Sequence, residues 1–406
     1  MNVQNPRFPL FDSLRGIAAI MVVYIHIWFV RGGVVDSHLA SKYFANFDAG
    51  VAIFFLVSGF LLYRPYVAAR FARRESPPLG PYAIRRVFRI VPTYWVALLL
   101  IVVWFENAAV LNNPLPYFGF AQVYDRSTRL HGYGPAWTLC VEVAFYILLP
   151  LWAFLLGRTP GRTRRQLVGT ETIGLALVIG ASIAWNLVHE PGQLGFVSAT
   201  AAAATLPAYM DQIALGMFLA VVSVALADRA RVPAAIALVH RRPWLPWLFA
   251  AAAFVVLCNV GPVHDSGGEV VKHELRALFA FGLLLPAVFG DDKGGAVRRL
   301  LADRRLQWVG MISYSLYLWH VAIVYKLVSH GWIERVGIGP FMVLAAVAAT
   351  VVAAASFYLI ERPGLRIGRR LAGRRGYQEI DKPPPGSVDR PGAPAIELAG
   401  VDRPRA

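Results

Sequence analysis

The sequence predicts an all-α, polytopic membrane bundle of about ten transmembrane helices with both termini in the cytoplasm. Three observations predict it. Hydrophobic residues make up 57 % of the 406 positions and charged residues only 16 %, and the mean hydropathy is +0.52, far more apolar than a soluble domain. The apolar residues fall into runs of the length that crosses a bilayer. The loops between those runs alternate between rich and poor in arginine and lysine, which is how membrane topology is written in sequence.

Taken in order, the spans lie near 11–30, 48–67, 87–106, 136–156, 171–189, 204–226, 244–262, 273–290, 308–328 and 338–360. The first carries Arg15 and His26 in an otherwise apolar run, and the second contains FFLVSGFLL with Ser58. The third is entered through RRVFRIVP, the fourth opens on Trp137 and carries Glu142, and the sixth holds Asp211. The ninth carries Ser313, Tyr317 and His320, and the tenth closes on IERP. Loops 68–86, 157–170, 227–243 and 291–307 each hold four or five arginines or lysines, including Arg70, Arg73 and Arg74, whereas the loops between them hold two at most. The cation-rich loops are expected on the cytoplasmic side. Residues 1–365 are therefore read as the membrane domain. Residues 366–406 are read as a cytoplasmic tail, first basic (Arg366, Arg369, Arg370, Arg374, Arg375) and then too proline-rich and polar to pack.

Composition also excludes. The formal charge of +16 comes from arginine clusters at span ends, so topology rather than nucleic acid accounts for it. Cys140 and Cys258 both sit in apolar runs and form neither a disulfide framework nor a metal motif. No metal ligand set is read, no cleaved leader is expected, and no internal repeat or appended soluble catalytic domain is found.

Ionisable groups inside a bilayer are costly and usually face a bundle interior or a watery cavity. Arg15 and His26 are eleven positions apart, about three helical turns and ~16 Å, and so share one face. Given the orientation, Arg15 lies at the cytoplasmic boundary together with Arg86 and Arg89. His26, Glu142, Asp211 and His320 lie at mid to outer depth. Thr138, Glu142 and Tyr146 share one helical face, as do Ser313, Tyr317 and His320. The pattern suggests arginines that hold phosphates at the cytoplasmic end and a base and an acid deeper in the membrane. Acyl-CoA fits it, with its phosphates at the arginines and its pantetheine arm reaching toward His26. Bland readings stand beside this one. The arginines also suit simple snorkelling and topology, His26 and His320 suit hydrogen-bonded bundle histidines, and Tyr317 suits packing. His131 reads as surface, and His273 is placed at a span end with no role.

Several stretches together resemble the acyltransferase-3 family of integral-membrane acyltransferases. FDSLRGIAAIMVVYIH resembles its arginine, ten residues, histidine motif, FFLVSGFLL its serine-glycine motif, and RRVFRIVPTYW its paired-arginine motif. WTLCVEVAFY is similar to its tryptophan and glutamate motif, and SYSLYLWH and IERP to its late elements. The resemblance covers about residues 10–365. It implies transfer of an acyl group, often acetyl, from acyl-CoA to a hydroxyl of a sugar, envelope glycan or glycosylated metabolite, by a multi-pass protein of the cell membrane. It implies that His26 is the central catalytic histidine and Glu142 a further essential acid, with Arg15 the motif partner of His26 and Arg86 and Arg89 near the CoA. Ser58, Asp211, Tyr317 and His320 are expected to line the site. No bound cofactor, no metal and no nucleic-acid partner is expected, nor the extracytoplasmic hydrolase-like domain that some members carry. Whether His26 acts as general base or as transient acyl carrier stays open at this level. The alternative from another class is a proton-coupled transporter or flippase of an envelope precursor, with Glu142, Asp211, His26 and His320 as one proton relay.

Overall fold

The computed structural model describes Phe8 and residues 10–30, 38–129, 133–159, 163–189, 204–227, 233–261, 266–290 and 295–373, and among these residues it is helical with no strand. Each of the ten apolar stretches forms a helix: α1 (Leu10–Val30), α2 (Ala49–Phe71), α3 (Leu79–Phe105), α4 (Trp137–Gly157), α5 (Arg164–His189), α6 (Met210–Leu226), α7 (Trp244–Asn259), α8 (Ser266–Phe289), α9 (Ser313–Ser329) and α10 (Ile338–Ser356). His131, residues 374–406 and thus most of the expected tail lie outside the described residues.

Seven of these stretches, α1 to α6 and α10, are long and apolar enough to cross a membrane. Helices α7 and α9 are short, and each joins a preceding helix, Ala234–Arg241 and Arg304–Met311, at bends of 95° and 71°; counting each bent pair as one span gives nine. The expected count of ten differs by α8, whose first half carries Glu269, Lys272, Glu274 and Arg276. Those charges are not wasted on lipid. Arg276 pairs with Asp48 at 2.8 Å and His273 with Asp211 at 2.8 Å, both inside the bundle.

The outward faces are apolar. On α10, Val343, Val347 and Val351 are 60, 56 and 63 % exposed, while Phe341, Ala345, Ala349 and Ala353, two residues out of step, are fully buried. A four-residue spacing of small residues against the bundle with valines outside is what a lipid-facing helix requires, since association in lipid depends on close packing. The bundle centres on α2. Its most extensive neighbour is α6, and a Cβ on Gly59 or Gly216 would lie 2.1 Å from the Ile213 carbonyl oxygen or 2.0 Å from that of Leu56. The two backbones therefore touch.

Two local features prepare the site. Helix Arg304–Met311 is capped by Asp303, whose side chain accepts from the Arg305 and Leu306 amides, and it packs beside the first turns of α1, which carry Arg15. Past α10 the chain makes one π-helical turn, Phe357–Glu361, before a last helix, Arg362–Leu371, that lies against α3. Such turns insert an extra residue and re-aim side chains. Here the effect is to bury Glu361 to 2 % exposure.

Candidate active site

A cavity of about 340 Å³ opens among α1, α2, α3, α4 and α9. At one end stand Arg15, Arg86 and Arg89, in the middle Ser58, Glu142 and Tyr146, and toward the other end Thr138 and Tyr317. The helical faces read from spacing account for this lining. Thr138, Glu142 and Tyr146 all reach the cavity from α4, and Ser313 and Tyr317 from α9. Ser58 and Gly59 divide two tasks between adjacent positions on α2, the hydroxyl facing the cavity and the glycine facing α6.

Glu142 accepts a hydrogen bond from Ser58 Oγ at 3.0 Å and one from the Tyr146 hydroxyl at 2.5 Å, both on Oε1. The Arg86 guanidinium lies 5.6 Å from the centre of the Tyr146 ring, a cation–π contact. Two carboxyls, half-buried Glu142 and buried Glu361, balance the arginines. Glu142 and Glu361 both act electrostatically on Arg89 and on Arg15, and Glu361 is fixed by a 2.7 Å hydrogen bond from Ser315 Oγ. Glu361 carries the same signal that singles out Glu142, a carboxyl in an apolar span, but in the sequence it stands only as part of the closing IERP.

His26 does not line the cavity. It sits beyond Tyr317, paired with His320: the two rings are 4.8 Å apart and nearly perpendicular, with His320 Nε2 3.2 Å from His26 Nδ1. Tyr317 lies between, its ring 5.7 Å from that of His320. Its hydroxyl accepts from Thr138 Oγ1 at 2.8 Å and donates to the Pro135 carbonyl at 2.8 Å. The site is therefore layered: arginines, then the Glu142 group, then Tyr317, then the histidine pair. Glu142 and His26 do not touch among the described residues, so a direct orienting contact between them is not how the site is built.

Asp211 lies elsewhere. Buried completely, it accepts from Ser182 Oγ at 3.1 Å, faces His273 Nε2 at 2.8 Å and hydrogen-bonds Glu274. Asp211, His273 and Glu274 offer ligand atoms within 4.8 Å of one another, the one group of metal-binding shape among the described residues. In the sequence His273 and Glu274 look like no more than the edge of a span. With Glu142 at the cavity, the histidines beyond Tyr317 and Asp211 against α8, the four members of the supposed relay belong to three separate networks.

Residues 9–359 match the family model described as an acyltransferase domain. The chain is 25 % identical over 386 residues to the peptidoglycan O-acetyltransferase OatA of Listeria monocytogenes, covering 87 % of this chain and 55 % of the relative. It is 28 % identical over 362 residues to the exopolysaccharide production protein ExoZ of Rhizobium meliloti, covering 83 % and 98 %. It is 26 % identical over 396 residues to nodulation protein 10 of Rhizobium leguminosarum bv. viciae, covering 90 % and 95 %. The chain thus spans nearly all of some curated relatives and only 57 % or 55 % of others. No solved structure matches it significantly.

Proposed function

The chain belongs to the acyltransferase-3 family and is a membrane O-acyltransferase; from that premise we propose that it moves an acyl group, acetyl foremost, from cytoplasmic acyl-CoA to a hydroxyl of a sugar, envelope glycan or glycosylated metabolite at the plasma membrane. The observation that carries this reading is the layered cavity, with guanidinium groups at one end and a histidine pair, half-buried His26 and buried His320, beyond the other. The peptidoglycan and exopolysaccharide wording of the relatives supports a glycan acceptor.

The chemistry follows from the layers. Arg86, Arg89 and Arg15 attract the anionic donor. A volume near 340 Å³ suits the thioester end of the donor rather than the whole molecule. Glu142 serves as the counter-charge that keeps the arginines, Ser58 and Tyr146 in one arrangement. Past Tyr317 the acyl carbonyl meets the acceptor. His26 takes the hydroxyl proton as the oxygen attacks the carbonyl carbon, the carbon–sulfur bond breaks, and the departing thiolate receives that proton from the imidazolium.

The test is mass spectrometry of envelope glycans and secreted metabolites from cells that carry the protein, lack it, or carry His26→Ala at equal membrane levels. An acyl-sized mass difference present only with the parent protein is expected. Identical products from parent and His26→Ala cells would overturn the reading.

A further inference from the structure

A second cavity, about 230 Å³, lies at the C-terminal end of α2, lined among others by Tyr66, Arg70, Arg73, Arg74 and Ser76. Its wall brings together three guanidinium groups, of Arg70, Arg73 and Arg74, and one carboxylate, Glu171, which Arg70 engages at 2.7 Å and the Tyr63 hydroxyl at 2.5 Å. Arg85 and Arg86 act electrostatically on Tyr66 as well. Such a convergence of guanidinium groups is the chemistry that recognises a phosphate.

One further feature points to a ligand here. Tyr66 is buried, with 6 % of its surface exposed, and among the described residues its hydroxyl has no hydrogen-bond partner, although buried hydroxyls are normally bonded. Arg73 occupies the position of a helix terminus that glycine ordinarily takes. The Arg74 amide donates to the Ala69 carbonyl and the Arg73 amide to that of Arg70, the closing pattern of a helix whose next residue is left-handed, and Arg73 accordingly has φ of 52°. An arginine is strained there where a glycine is not.

We propose that this pocket binds a phosphate group, and that the group is the phosphorylated nucleotide end of the acyl-CoA donor. The inference rests on the donor assigned under the proposed function. Position supports it. Along α2, Arg70 lies twelve residues from Ser58, about 18 Å, so a donor anchored here extends its pantetheine arm along one helix to the Glu142 layer. The two cavities adjoin through aromatic side chains: the Tyr66 and Tyr82 rings are 6.2 Å apart, the Tyr82 hydroxyl donates to the Tyr146 carbonyl, and Tyr146 lines the first cavity. A membrane also supplies phosphate as anionic lipid headgroups, and the same arginines would hold one.

The experiment uses the full chain purified in detergent and titrated with CoA, with dephospho-CoA and with adenosine 3′,5′-bisphosphate. The variants are Tyr66→Phe and the double variant Arg73→Gln/Arg74→Gln. Arg73 is exposed and Arg74 half-buried, so the double variant is expected to fold, which size-exclusion chromatography checks. The parent is expected to prefer CoA to dephospho-CoA by about tenfold or more, as loss of a charge-assisted contact predicts. The double variant should abolish that preference and Tyr66→Phe should reduce it. A second arm reads co-purified phosphatidylglycerol by native mass spectrometry. If the double variant sheds that lipid while its CoA affinity is unchanged, the phosphate site stands with a lipid as its source. If neither CoA preference nor lipid retention changes, the pocket binds no phosphate and the proposal falls. Failure of the parent to bind CoA at all would overturn the proposed donor, and the lipid arm would still decide the pocket.

Discussion

His320 turns one ring nitrogen to a backbone carbonyl and the other to His26. Its Nδ1 lies 3.1 Å from the Leu316 carbonyl, which only accepts, so Nδ1 carries the hydrogen and Nε2 the lone pair. That lone pair faces His26 Nδ1 at 3.2 Å. His26 Nδ1 is also 2.8 Å from the Val22 carbonyl, so it too carries its hydrogen, and the lone pair of neutral His26 is on Nε2. The assignment follows from the hydrogen-bond network. It gives His26 the tautomer of a general base whose other nitrogen is held by a neutral partner, the role that a carboxylate plays in a serine hydrolase triad. His26→Ala should lower turnover by about 10²- to 10⁴-fold, the range for removal of a general base. His320→Leu should lower kcat by about tenfold or more with the KM for acyl-CoA unchanged, and His320→Gln, whose amide oxygen still accepts, should recover part of it. Steady-state kinetics on purified protein checks all three, and a His320→Leu enzyme with the parent's kcat would refute the pairing.

Glu361 makes a different prediction, because its contacts lead to the arginines. With Ser315 holding it at 2.7 Å and its charge acting on Arg15 and Arg89, it helps to hold the cationic end of the cavity in shape. Glu361→Gln keeps the volume and removes the charge. Loss of that counter-charge leaves Arg15 and Arg89 less compensated, so a fall in melting temperature is expected, together with altered CoA affinity. Ser315→Ala should produce a smaller change in the same direction. Thermal unfolding in detergent and CoA titration measure the two effects.

Much of this architecture is legible in the residues, for a physical reason. A bilayer enforces helical length and apolarity, and it makes each intramembrane carboxyl, imidazole or guanidinium conspicuous. Arg15, Glu142, Arg86 and Arg89 stand out by that logic, Ser58 through the family resemblance and Tyr317 through its helical face, and one cavity collects them. What spacing along single helices does not convey is contact between helices. Position along α1 gives the depth of His26 but not that Tyr317 separates it from Glu142. Asp211 looks like a fourth member of the same group when depth alone is read, and its partner His273 lies on a helix whose charged first half resembles a loop. Glu361 escapes notice because only a π-helical turn, which no sequence period announces, brings it inside.

The Asp211, His273 and Glu274 group yields a prediction about metal. Asp211 is engaged on three sides, by Ser182, His273 and Glu274, while Glu274 Oε1 is buried with no hydrogen-bond partner among the described residues; the contacts of Asp211 and His273 are met within the protein. Prolonged dialysis against EDTA is expected to leave the melting temperature unchanged, and elemental analysis is expected to find no stoichiometric divalent metal. Asp211→Asn, in contrast, should destabilise by about 3–5 kcal/mol, because it removes the charge that the buried His273 faces. A melting temperature that falls on chelation and returns with zinc would make this group a metal centre instead.

The packing of α2 on α6 sets the last expectation, which concerns stability rather than chemistry. A single methyl at Gly216 would meet the Leu56 carbonyl carbon at 2.8 Å and its oxygen at 2.0 Å, so Gly216→Ala has to push two backbones apart. Ser58 lies two residues beyond Leu56 on α2, so that displacement carries the Ser58 hydroxyl away from Glu142. Overpacking of this kind typically costs about 1–3 kcal/mol. Gly180, on α5, leaves open space where a methyl would stand, with nothing within 4 Å, and Gly180→Ala should instead stabilise by about 0.5–1 kcal/mol through helix propensity. Melting temperatures of the two variants should therefore move in opposite directions, with acyl transfer lowered only in Gly216→Ala. Equal melting temperatures would mean that the two helices can separate without penalty, and that the α2–α6 contact does not position Ser58.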